Sequence, residues 1–158
     1  MTTYLLLKWL HVIGATVLLG TGAGIAFFML MAHRTGDARV VAAVARIVVL
    51  ADYIFTATAV AAQPVTGVLL ARVAGYSLGE GWILASIALY LLTGAFWLPV
   101  VWMQGRMRDL ARAAASAGTG LPAEYHRLFR RWFVFGFPAF AAVLAIFWLM
   151  IARPEIDF

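Results

Sequence analysis

Polar residues punctuate this chain at wide intervals, and between them run four apolar stretches: Tyr4 to Met31, Val40 to Leu70, Gly81 to Met103 and Trp132 to Ala152. Each reaches or exceeds the ~20 residues needed to cross a hydrocarbon core. The pattern predicts an all-α polytopic membrane protein, a four-transmembrane-helix bundle forming one integral membrane domain over residues 1–158. The connections 32–39, 71–80 and 104–131 hold nothing that reads as a separate fold. Thr35-Gly36-Asp37 has the composition of a turn, with Asp37 set to cap the second helix. Gln104 to Arg112 extends the third helix, Ser116 to Pro122 breaks it, and a short interfacial helix after Pro122 takes in Tyr125, His126, Phe129 and Arg130.

The second stretch departs from the pattern, because Asp52, Thr56 and Gln63 lie inside it. On a regular helix Thr56 falls about 40° and Gln63 about 20° round from Asp52, so the three share one side. Lipid solvates neither a carboxylate nor a carboxamide, so this side is expected to face protein, a cofactor or a little water. Arg46, Arg106 and Arg108 are the candidate partners for Asp52. Pro64 predicts a bend in span two, and Pro99 one in span three with the carbonyl near Ala95 freed.

Composition agrees with a membrane location: 65% of the residues are hydrophobic, 12% are charged, and mean hydropathy is +0.94. Cysteine is absent, which removes disulfides, thiolate ligands and a cysteine nucleophile. The formal charge of +5 is concentrated at one side of the bundle. Arg34, Arg39, Arg46, Arg106, Arg108, Arg112, Arg127, Arg130 and Arg131, nine of the 12 Lys and Arg residues, flank the connections after spans one and three. The positive-inside bias then puts both basic connections in the cytoplasm of a bacterial inner membrane. Both termini lie outside, as do Gly79, Trp82 and the acidic end Glu155 to Asp157. Lipid phosphates explain the arginines, and no nucleic-acid partner is expected. The first stretch outruns a signal-peptide core and is read as the first membrane helix.

Candidate chemistry is sparse. His11 sits one to two turns below the outer boundary, with Gly14 and Ala15 leaving low relief beside it, and is a candidate haem or metal ligand or proton carrier. Counted from the outer side, Gln63 shares its depth, and Tyr90 and Trp148 lie within about two turns. These four make a candidate cofactor pocket, although depth alone does not say that their faces converge. Gly20 and Gly24 form a G-x-x-x-G pair suited to close helix packing within the bundle or in a homo-oligomer. His33 and His126 read as solvated, and Trp102 as interfacial. Trp97 reads as core packing or a cofactor wall, and Met29, Met31, Met103 and Met107 as packing rather than copper ligands. No P-loop, H-E-x-x-H zinc motif or Gly-rich dinucleotide fingerprint is present.

Several runs carry a resemblance: Leu10-His11-Val12-Ile13-Gly14, Ala51-Asp52-Tyr53-Ile54-Phe55-Thr56, Gln63-Pro64-Val65-Thr66-Gly67, Trp97 to Gln104, Phe137-Pro138-Ala139-Phe140 and Phe147-Trp148-Leu149-Met150. With them the chain resembles a bacterial family of four-span integral membrane proteins of unknown function. The histidine motif is also similar to that of membrane-bound protoporphyrinogen oxidases and copper-resistance membrane domains. That likeness implies haem b as cofactor, ligated by His11, while span three holds no lysine to match the oxidases' second functional residue. Three functions follow: an accessory or assembly protein acting with lipids, its own copies or a membrane partner; a haem-binding redox protein; and an oligomeric small-solute or proton-coupled transporter.

Overall fold

The computed structural model describes residues 2–156, so Asp157 lies outside the described residues. Four long helical rods form the bundle: α1 (Thr2–Thr35), a second rod made of α2 (Ala38–Ala51), a π turn (Asp52–Thr56) and α3 (Ala57–Ala74), then α4 (Gly81–Ala117) and α5 (Ala123–Ala152). All four are long and apolar enough to cross a membrane. Large apolar side chains such as Leu91, Trp148 and Ile151 are turned outward around the rods, the reverse of a water-soluble bundle. This is a multi-pass integral membrane protein whose outer faces meet lipid.

The helices outrun the apolar stretches. The 37 residues of α4 rise about 55 Å against a core of about 30 Å, so the arginine-rich ends project beyond it. The segment after Pro122 is continuous with α5 and forms no separate interfacial helix, because nothing from Ala123 to Trp132 breaks the hydrogen-bond ladder. Gly118 ends α4 at φ 65°, a left-handed conformation that glycine adopts without a Cβ penalty, and Thr119 N–H then bonds the Ala114 carbonyl. The Gly36 turn forms as expected, with the Asp37 carboxylate accepting from Arg39 N–H at 2.7 Å.

Packing is uneven along the bundle. The close-packed core lies at the arginine-rich end, where Met29, Val41, Met107 and Tyr125 are fully buried and Met103, Phe129 and Trp132 join them. His33 is half-buried against the edge of this core rather than fully solvated. Its ring stacks on Phe129 with centroids 3.7 Å apart, and Tyr125 Oη lies 3.4 Å from its Nδ1. Burial, and then His126 close by, push His33 below its ordinary pKa, and burial raises the Tyr125 phenol to about 12. His126 itself stays exposed. The Tyr125–His33–Phe129 cluster thus joins α1 to α5 at this end, while toward the termini the two helices part. At the opposite end the turn before α4 is fastened to the C-terminal segment. The Arg153 guanidinium donates to the Tyr76 hydroxyl and lies over the Tyr76 and Trp82 rings, 5.1 and 6.0 Å from their centroids.

The π turn was not anticipated from the sequence, which suggested a bend at Pro64 instead. Here Ala57 N–H bonds the Asp52 carbonyl five residues back, so one extra residue is taken into a single turn. Everything beyond is set back by about 100° relative to a regular helix.

Candidate functional site

Where α1 and α5 separate, a cavity of about 380 Å³ opens in the middle of the bundle, lined by all four rods. Its α1 wall mixes the small residues Ala15, Gly22, Ala23 and Ala26 with Leu18, Leu19 and Ile25, and its α5 wall includes Phe133, Phe137, Phe140 and Phe147. Phe137 and Phe140 are 62% and 41% exposed, so the cavity communicates with the lipid-facing surface between these helices. The floor is polar: Asp52, Thr56 and Gln63 from the second rod, Tyr90, Thr93, Trp97 and Gln104 from α4, and Trp132 from α5.

The three polar residues of the second rod all reach this cavity, each with different partners. Asp52 turns to α4. Trp97 Nε1–H points at its Oδ1 at 3.4 Å, a long bond, and the Gln104 amide is set by its neighbours to donate to Asp52 Oδ2 at 3.1 Å while accepting from Trp132 Nε1 at 3.3 Å. None of the expected arginine partners reaches it. Arg106 pairs with Glu124 at 3.0 Å and Arg108 with Asp109 at 2.9 Å, both on the polar side of the arginine-rich end. Gln63 turns instead to α1, its Nε2 donating to the His11 carbonyl at 2.9 Å. The rotation introduced by the π turn separates these two directions, which a regular helix would have aligned. Thr56 Oγ1 is buried beside the Asp52 carboxylate and makes no well-formed hydrogen bond among the described residues.

His11, Gln63 and Thr66 come together at the α1–α3 seam. The Thr66 hydroxyl donates to the Ala62 carbonyl at 2.9 Å, so at its 2.9 Å contact with His11 it accepts from Nδ1–H. The seam is close because both helices offer glycine: a Cβ on Gly67 would lie 3.2 Å from His11 Cε1, and one on Gly14 would collide with the Gln63 amide. The His11 ring is thereby packed toward α3 and is not among the residues lining the cavity. Among the described residues, no group of three or more His, Cys, Asp or Glu side chains gathers as a metal site. The donors present therefore fit a haem poorly: the histidine and the cavity face different ways.

Tyr90 lines the cavity, and its hydroxyl donates to the Val60 carbonyl at 2.5 Å. Pro64, four residues on, has no N–H for that carbonyl, so Tyr90 supplies the missing donor. Trp148 is 67% exposed and does not line the cavity. A Cβ on Gly20 would meet nothing within 4 Å, and one on Gly24 only Phe28 of the same helix at 3.8 Å, so neither glycine serves packing inside the bundle. Gln104, Trp132 and Thr66 were missed from the sequence. Gln104 carried a signal, since it lies seven residues after Trp97 and hence on the same helical face.

Fold and cavity define the class: a four-helix integral membrane protein with a polar-floored chamber inside the bilayer. The chain belongs to the DUF2269 family, described as predicted integral membrane proteins, which it matches over residues 5–154. No curated protein and no solved structure matches it.

Proposed function

We propose that this protein is an accessory protein of the membrane that takes a lipophilic molecule from the bilayer into the chamber between α1 and α5. The supporting observation is the chamber itself: about 380 Å³, walled mainly by aliphatic residues and phenylalanine and continuous with the lipid-facing surface. Its volume lies within the usual range for small-molecule sites. The contrast between a tightly packed arginine-rich end and the parted helices above it supports the same reading.

The test uses protein labelled with 5-fluorotryptophan in nanodiscs, with the Trp97 fluorine resonance assigned by Trp97→Phe. A phospholipid carrying a nitroxide on its acyl chain is expected to broaden that resonance, and Ala23→Phe, which narrows the mouth, to protect it. An unbroadened Trp97 in the unaltered protein, or equal broadening in Ala23→Phe, would sink the proposal.

Haem b on His11 and proton-coupled transport are weaker readings, the first because His11 packs against Gly67 and away from the chamber. Protein purified from haem-supplied cells is expected to lack a Soret band. A Soret band lost in His11→Ala would reverse that ranking. For orientation, the arginine distribution supports a cytoplasmic location for the 36 and 118 turns. Since the chain has no cysteine, single-cysteine variants at Gly120 and Gly79 report sidedness cleanly: Gly120→Cys should label only from the cytoplasmic face.

A further inference from the structure

The chamber floor is short of one kind of group. Each donor nitrogen on it already meets a protein acceptor: Trp97 and Gln104 meet Asp52, Trp132 meets Gln104, and Gln63 meets the His11 carbonyl. The Tyr90 hydroxyl is likewise committed, to the Val60 carbonyl. What remains is acceptor capacity: the Asp52 carboxylate and, beside it, the Thr56 hydroxyl, which makes no well-formed hydrogen bond and whose residue is only 6% exposed. Among the described residues no Lys, Arg or His lines the cavity, so none of them balances Asp52 there.

We infer that the chamber binds an amphiphilic amine carrying a single positive charge, its ammonium seated between Asp52 and Thr56 and its hydrocarbon tail leaving between α1 and α5. The inference rests on the lipophile-binding reading and adds the chemistry of the head. An ammonium brings three donors and one positive charge, which answers both deficits of the floor. A phosphate-bearing head fits badly, because its oxygens would face a carboxylate with no committed cation beside it. The mouth is lined by aromatic and small aliphatic groups, which suit a tail and offer no second polar station.

Three amphiphiles with one nitroxide-bearing tail and different heads, ammonium, hydroxyl and carboxylate, separate the possibilities in the same fluorine measurement. Midpoints are compared at equal content in the disc. For the unaltered protein the ammonium compound is expected to broaden Trp97 with a midpoint about tenfold below that of the hydroxyl compound, the difference between a charge-assisted and a neutral hydrogen bond. The carboxylate should be weakest. In Asp52→Asn the ammonium advantage should fall below about twofold while the nitroxide phospholipid still broadens Trp97. Equal midpoints for ammonium and hydroxyl heads in the unaltered protein would overturn the inference, as would a preference that survives Asp52→Asn. Replacing phosphatidylcholine in the disc by phosphatidylethanolamine should leave the ammonium midpoint unmoved; competition would assign the site to a lipid headgroup and refute the phosphate argument. If no probe broadens Trp97, including the nitroxide phospholipid, it is the lipophile-binding reading that fails.

Discussion

Pro64 and Tyr90 lie on different helices, yet they share one carbonyl, and this makes their energetic coupling measurable. Tyr90→Phe leaves the Val60 carbonyl without a donor, because Pro64 has no amide to offer it. Hydrogen bonds between membrane helices are worth on average about 0.6 kcal/mol and at most about 1.7 kcal/mol, and a buried acceptor left unsatisfied costs about 1–3 kcal/mol. Together these put the cost of Tyr90→Phe at about 1–2 kcal/mol, a roughly 5- to 30-fold drop in the folded-to-unfolded ratio. Pro64→Ala restores an N–H four residues after Val60, so in that background Tyr90→Phe should cost less than about 0.5 kcal/mol. The assay is reversible unfolding of the four proteins in mixed micelles of increasing dodecyl sulfate fraction, followed by helical circular dichroism. A coupling of about 0.5–2 kcal/mol is expected. If Tyr90→Phe costs the same with proline and with alanine at position 64, the carbonyl is not what joins the two residues.

Gly14→Ala should displace the Gln63 amide from the His11 carbonyl and destabilise the bundle by about 1–2 kcal/mol in the same assay, despite alanine's better helix propensity; a stabilised variant would refute the close α1–α3 seam. Gly20→Ala and Gly24→Ala should leave the monomer no less stable, since neither Cβ meets another helix and alanine is the better helix former. Light scattering on the same variants tests the homo-oligomer role: an unchanged mass would remove the G-x-x-x-G pair as a dimer contact. His33 is held below its ordinary pKa of 6.5, so the unfolded chain binds its proton first and stability falls as pH drops below about 6.5. Above that value this contribution is fully present. In His33→Phe the slope of unfolding midpoint against pH between about 7 and 5 should flatten, and an unchanged slope would place the titration elsewhere.

The four spans were legible because apolar runs of that length have few other uses, and the cap at Asp37 and the turn at Gly36 followed from residue type. Depth counting also brought His11 and Gln63 to one level, where the structure joins them. The same counting put Trp148 near that level, but depth along a helix says nothing about the side from which a residue projects, and Trp148 points outward. Arginine partners for Asp52 were proposed from charge alone, whereas the long helices carry Arg106 and Arg108 out to Glu124 and Asp109. The π turn left no mark in composition: Asp52 to Thr56 reads like any membrane-helix segment, and nothing in its residue types calls for an extra residue in the turn. Asp37 differs in that its capping bond is to the next turn of its own chain.

The extra residue at Asp52–Thr56 also bears on which genetic changes this protein can tolerate. Loss of one codon within that turn would restore a regular helix and swing α3 through about 100°, carrying Gln63 and Thr66 off His11 and the Val60 carbonyl off Tyr90. Such an in-frame deletion should harm the protein more than single replacements of the lipid-facing neighbours Tyr53, Ile54 or Phe55, whereas the 75–80 connection can change length without altering any helix's facing. Variation among family members is therefore expected to run to substitutions in this turn and to length changes in that connection.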